Sequence, residues 1–302
     1  MNKKVLFAVN LLAVLVLSLA GGTRILAQDG TGPGQAQNEN LKSGQIGAPV
    51  TADAKAQALR KYLEAQKLEQ SGNSPAAIED YKAAIALDPT AADLRIALGS
   101  LYLKNSNLID AEAQARAALK ISPEGIEGRK LLASVYANQT FVGAKFNKDK
   151  AKDAITELEG VAKSTPEAKV VWGGQDVPVL LVVGSLYESL DDNDKALAAF
   201  KRMTSADASS DVAYYAVARI YFDKNKFREA AEAAKKAYDI SPKPGYADLL
   251  ARSYLRTERT QEALDLYKKT LGLDEKDKDD TKAGLRHTAM IFDYAEALVN
   301  AG

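Results

Sequence analysis

The chain has 302 residues, 46% of them apolar, with 40 basic and 40 acidic side chains. That is enough apolar material for a continuous core, and the lack of a basic excess argues against nucleic acid as the main ligand, because phosphate binding needs clustered Lys and Arg. With no cysteine and a single histidine, His287, the chain can form no disulfide, thiolate metal site or cysteine nucleophile, and no chemistry that needs two imidazoles.

Lys3 and Lys4 precede an apolar run from Val5 to Ala20, and small residues follow at Gly21, Gly22 and Ala27. This is the order of a secretory signal, and the run is short for a spanning helix. The reading taken is a signal peptide over 1–27, cleaved after Ala27, with Ala20 and Gly22 as alternative sites. The competing reading is an uncleaved anchor in the inner membrane through residues 5–20. Cleavage would remove Lys3, Lys4 and Arg24 and no acid, leaving a formal charge of −3. Residues 28–52 are rich in Gly, Gln, Asn and Ala and hold no aromatic residue, which predicts a disordered linker.

From about Ala54 a unit recurs roughly every 34 residues. Leu59, Leu63 and Leu68 lie on the first predicted helix. Gly72-Asn73-Ser74-Pro75 makes a turn, with Ser74 read as N-cap and Pro75 as the first helical residue. Ala77, Ile78, Tyr81, Ala84, Ile85 and Leu87 stripe the second helix, and Asp88-Pro89 ends it. The second unit repeats this up to Pro123. Leu98-Gly99, Leu132-Ala133, Val183-Gly184, Val217-Ala218 and Leu250-Ala251 precede Tyr102, Tyr136, Tyr187, Tyr221 and Tyr254. Those tyrosines are read as core. Insertions interrupt the series near 137–149, with Phe141 and Phe146, and near 167–177, with Trp172 beside Gly173-Gly174. The array is read as residues 53–275, and 276–302 as a charged loop leading to a C-terminal capping helix with one polar face.

These residues resemble the tetratricopeptide repeat family over about Ala54 to Asp274. The resemblance implies an all-α fold, a right-handed superhelical solenoid of about six helix-turn-helix repeats plus the capping helix. It also implies a non-enzymatic scaffold whose groove, lined by the first helix of each unit, holds a protein or peptide. The groove candidates are Tyr62, Ile96, Lys130, Leu181, Tyr215, Arg219, Phe222, Arg252 and Arg256. The Lys, Asn and Arg set with which one subgroup grips a C-terminal carboxylate is absent, so that activity is not carried over. Arg219, Arg252 and Arg256 read either as a patch for acidic ligands or as solvated helix charge. Phe141, Phe146 and Trp172 read either as plugs over apolar surface or as recognition tips.

Asp191-Asp192-Asn193-Asp194 lacks the ordered spacing of a calcium loop and is read as a turn with an N-cap. No metal and no cofactor is expected, and the chain is read as no enzyme. The function expected is binding outside the cytoplasm, in the periplasm or secreted, in envelope assembly or export. A self-associating envelope component is the alternative, and a carboxylate-dependent hydrolase is the least favoured. Membrane contact is expected only through an uncleaved anchor.

Overall fold

The computed structural model describes residues 49–142, 145–273 and 288–301. The stretches expected to be a signal segment and, nearly all of it, a linker, the charged run after Leu273 and His287 lie outside the described residues. The chain divides into two compact units, one up to Leu132 and one from Ala133.

The first unit holds α1 (Ala52–Gln70), α2 (Ser74–Leu87), α3 (Ala92–Lys104), α4 (Leu108–Ile121) and the first half of α5 (Ile126–Gln139). The second unit continues with β1 (Phe141–Val142), β2 (Lys145–Phe146), α6 (Lys148–Ser164), β3 (Lys169–Trp172) and β4 (Gln175–Pro178). It then runs through α7 (Val179–Ser189), α8 (Asn193–Ala206), α9 (Asp211–Asp223), α10 (Phe227–Ile240), α11 (Pro244–Leu255), α12 (Thr260–Leu271) and α13 (Thr288–Ala301). Among the described residues the fold is all-α apart from these two short hairpins. Within each unit, helices that follow one another in sequence pack against one another.

The periodicity is written into the backbone as well as the side chains. Gly72, Ser106, Asp191, Asn225 and Glu258 all have left-handed φ, between 58° and 79°, and each sits at the turn between the two helices of a repeat. Four are not glycine, so each turn carries strain that L-residues normally avoid. A bond that closes the turn holds it. The amides of Asn107, Asp192, Lys226 and Arg259 donate to the carbonyls of Tyr102, Tyr187, Tyr221 and Tyr254, at 2.8 to 2.9 Å. The amide of Asn73 does the same to Leu68.

Capping follows at the same places. Asn73, Asn107 and Asp192 each accept a hydrogen bond from an amide in the first turn of the next helix, satisfying a donor that the helix leaves open. The cap of α2 is therefore Asn73, one residue earlier than the sequence suggests, and Pro75 falls within the first turn. Asp192 takes the capping role that its run of acids implied.

The small residues make the packing. Ala65, Ala133, Ala218 and Ala251 on first helices are fully buried, and so are Ala77, Ala111, Ala154, Ala196, Ala230 and Ala263 on second helices. A Cβ added at Gly184 would lie 2.4 to 2.7 Å from the Phe200 ring. At Gly99 it would meet the end of Leu131 at 2.6 Å. The repeat tyrosines are less uniform than the spacing suggests. Tyr102, Tyr136 and Tyr254 are buried, but Tyr187 and Tyr221 are only half-buried. Their outer faces carry cations, with Lys195 5.5 Å from the Tyr187 ring and Lys201 5.1 Å from Tyr221.

Both terminal helices depart from expectation. Leu59 and Leu63 of α1 are exposed rather than packed. On α13, Met290 and Ala297 are buried, while Phe292 is 70% and Val299 80% exposed, with Ile291 and Leu298 beside them. Apolar side chains thus stand beside the exposed Glu296 on the outer side of this helix, where a polar face is expected. Spacing alone does not tell which of two apolar faces is inward.

Gly184→Ala is expected to lower stability by about 1–3 kcal/mol, because a rigid buried ring must move. Chemical denaturation checks this; a change below about 0.5 kcal/mol, the ordinary size for a surface site, would mean that the two helices are further apart than described.

Candidate functional site

The first helix of each repeat presents a recurring register. In the first unit this brings Tyr62, Ile96 and Lys130 to comparable places, all half-buried. Tyr62 is part of the packing: its ring lies 5.9 Å from Tyr81, and it rests on the cluster of Ala58, Ala84 and Leu94. Its hydroxyl accepts from Gln66 at 2.7 Å. Lys130 pairs with Glu127 at 2.9 Å.

In the second unit the insertions decide which part of the register stays open. Gly173 and Gly174 both have positive φ, the requirement of the tight turn whose twist suits two paired strands. They join β3 to β4 with Val170 opposite Val177 and Trp172 opposite Gln175. This hairpin lies on α5. Ser134 Oγ accepts from the Val171 amide at 3.0 Å, and Asn138 Nδ2 donates to the Val171 carbonyl at 2.8 Å. Asn138 Oδ1 accepts from the Gly173 amide at 3.0 Å. Trp172 is 5% exposed, and its Nε1 donates to the Ala137 carbonyl at 3.2 Å.

Trp172 therefore plugs an apolar surface and is not an exposed tip. Asn138, which also begins a glycosylation-like triplet, is committed to the hairpin. Both strands also reach α7, where Leu181 is 3% exposed and Ser185 is buried. Leu181 is thus a core residue, contrary to its place among the groove candidates; its face is already covered. Phe141 and Phe146 pair across β1 and β2 with ring centroids 5.2 Å apart, and both are half-buried.

What remains open lies on α9 and α11. The Tyr215 ring sits 4.7 Å from Tyr246. The Tyr246 hydroxyl donates to Asp211, which also pairs with Lys243 at 2.7 Å. Arg219, one turn from Tyr215, pairs with Glu188 of α7 and lies 3.8 Å from Asp223. The Arg252 guanidinium lies 5.0 Å from the Phe222 ring, and Arg256 lies 4.4 Å from Phe227. Both arginines are exposed. The structure brings Tyr215, Arg219, Phe222 and Arg252 together, and pairs Arg256 with Phe227 beside them. It does not bring Leu181 or Trp172 onto that open surface.

One residue of this surface escaped the sequence reading. Asp248 stands on α11 where Tyr215 stands on α9, and Arg252 likewise matches Arg219. The register alone could have found it. Asp248 lies 3.8 Å from Arg252. Burial pushes its carboxyl above the usual range; Arg252 opposes this, and Asp293 of α13 adds to it. Burial also pushes up the Tyr215 phenol, against the pull of Arg219. Among the described residues no group of three or more acids and histidines is placed to hold a metal ion.

Because its carboxyl is raised on folding, Asp248 binds its proton more tightly in the native chain than in the unfolded one. Its ionised form then opposes folding as pH rises above the unfolded value of about 3.9. Asp248→Asn is expected to raise the melting temperature at pH 7, with the gain vanishing below about pH 4. Thermal melts across that range check it. A lower melting temperature at pH 7 would mean that attraction to Arg252 outweighs burial.

Comparison with known proteins agrees with the repeat. Residues 65–106 match the family model described as TPR repeat. Residues 189–270 match the one described as Anaphase-promoting complex, cyclosome, subunit 3. No curated protein matches the chain. A tetratricopeptide repeat protein of Parabacteroides merdae ATCC 43184 is similar at 16% identity with a TM-score of 0.51, over 81% of this chain and 93% of that one. The pilF protein of Pseudomonas aeruginosa is similar at 13% identity and a TM-score of 0.52, over 78% and 99%. YrrB, described as a TPR protein with an unusual peptide-binding site, is similar at 21% identity and a TM-score of 0.50, over 66% and 96%. These likenesses are of fold, and with the two model matches they support the tetratricopeptide resemblance.

Proposed function

We propose that the chain is a peptide-binding or protein-binding scaffold whose ligand lies along α9 and α11, acting outside the cytoplasm in envelope assembly or export. The observation that carries the reading is the open face itself. Tyr215, Phe222, Arg252 and Arg256 meet there, with two guanidinium groups stacked near aromatic rings. Aromatic and arginine side chains give large contact area and directed donors at low ordering cost. A peptide-binding neighbour of the same fold is consistent with this use. The setting outside the cytoplasm rests on Lys3, Lys4 and the run Val5–Ala20. Among the described residues no helix is long and apolar enough to cross a membrane.

The test is selection from a random peptide library on the chain starting at Gln28, with binding compared in Tyr215→Ala and Arg252→Ala. Each substitution is expected to weaken the selected peptides at least tenfold, and Arg252→Ala, at an exposed side chain, to leave the melting temperature within a few degrees. Selected peptides that bind both variants unchanged would contradict the placement.

A second reading, self-association, is favoured by the exposed apolar residues at both ends, Leu59 and Leu63 on α1 and Phe292 and Val299 on α13. It expects a molar mass that rises with concentration and that Phe292→Ser with Val299→Ser returns to a monomer. A monomer throughout, measured by light scattering, would contradict it.

A further inference from the structure

The register that places Tyr215 and Arg219 on one face places Asp248 and Arg252 on it one repeat later, and there two polar atoms are left over. Asp248 Oδ1 and Tyr267 Oη are both buried, and neither has a hydrogen-bond partner among the described residues. Tyr267, on α12, is 0% exposed. Its hydroxyl is within electrostatic range of Asp248, Asp293 and Arg252. Asp293 comes from α13 and is half-buried, and the Tyr294 ring of the same helix lies 6.2 Å from Tyr267.

The chain shows elsewhere what a satisfied tyrosine looks like at this place. Tyr81 stands in the same repeat position on α2, four residues after its small residue Ala77 as Tyr267 is after Ala263. Its hydroxyl donates to Glu69 at 3.1 Å. The counterpart of Glu69 on α11 is Leu255, which offers no acceptor. Two other buried hydroxyls of this unit are satisfied, Ser253 by the Leu249 carbonyl at 2.7 Å and Thr140 by that of Ala137 at 2.6 Å, while Ser185 Oγ on α7 is buried without a partner among the described residues. A buried polar atom without a partner is uncommon, and two that share one acidic neighbourhood point to a ligand that supplies donors.

The chemistry narrows that ligand. Asp248 lies 3.8 Å from the guanidinium of Arg252, which is also drawn over Phe222, and Asp293 acts as a second carboxylate on Asp248 and Tyr267. The remaining formal charge is that of one anion. Asp248 Oδ1, the Asp293 carboxylate and Tyr267 Oη offer three acceptors, and a primary ammonium carries three donors and no acceptor. The Asp248 side chain is 28% exposed, although its Oδ1 is buried, so entry of an ammonium requires that carboxylate to turn outward.

We propose that Asp248, Asp293 and Tyr267 form a subsite for a primary ammonium group, that of a lysine side chain in the segment bound along α9 and α11. It rests on the peptide-binding reading above and adds the identity of one side chain. The arginines of the same face would then meet acidic neighbours of that lysine.

The probe is Nα-acetyl-lysine amide, titrated into the full chain from Gln28 and followed by nuclear magnetic resonance shifts. The norleucine analogue and Nε-acetylated lysine serve as uncharged controls and the arginine analogue as a second cation. The expected result is saturable shifts at α11 and α12 with the lysine probe alone, at least tenfold weaker in Asp248→Asn, Asp293→Asn and Tyr267→Phe. In the free protein Tyr267→Phe should melt no lower than the parent, since it removes a hydroxyl that has no partner. A melting temperature several degrees lower would show that the hydroxyl is bonded within the protein and would overturn the proposal. Equal shifts from norleucine or from the arginine analogue would overturn it too. If library peptides bind but their affinity does not depend on lysine, the subsite fails and the peptide-binding reading stands. If the lysine probe binds as expected and no library peptide does, the reverse holds.

Discussion

The close approach of the two helices within a repeat is the constraint on which the rest depends. A single methyl group, or none, is tolerated where they cross, as the fully buried alanines and the pair Gly184–Phe200 show. That approach fixes the turn between the helices, which in turn needs a residue in left-handed conformation followed by a cap. Four non-glycine residues accept that conformation, so the packing gain must exceed the local strain. Once the turn is set, each first helix presents the same side-chain positions as the last. Function is then a matter of which residues occupy those positions and which of them stay uncovered.

The covering is done by the hairpin of β3 and β4. Ser134 and Asn138 bind the backbone of Val171 and Gly173, and Trp172 seals the contact. The face of α5 and α7 is thereby spent internally. Further along, no hairpin among the described residues lies over α9 and α11, and their charges are arranged differently. Arg219 is neutralised by Glu188, whereas Arg252 and Arg256 lie against rings and remain exposed. Three arginines that look equivalent in sequence thus have two physical roles, one holding α7 to α9 and two available to solvent.

The legible part of this fold is the part that repeats. The alanines and glycines at helix crossings, the cap at Asp192 and the stop at Asp88 follow from spacing and local chemistry. What did not follow has identifiable causes. A two-stranded hairpin of four-residue strands is too short to announce itself by period, so the direction of Trp172 and the burial of Leu181 could not be read. Asp248 was hidden because it breaks the residue type of its register, an acid where Tyr215 is aromatic. Leu59 and Leu63 misled because an end helix has one neighbour fewer, and an apolar residue there is not thereby inside.

The central claim is that the hairpin closes one stretch of this face and leaves α9 and α11 as the place of binding. Amide shift mapping tests it most directly, using the isotope-labelled chain and the tightest selected peptide. The account predicts shifts concentrated on Tyr215, Arg219, Asp248 and Arg252, with Val171 to Gly173 unmoved. Shifts centred on Val171 to Gly173 or on α1 to α4, with α9 and α11 silent, would contradict it.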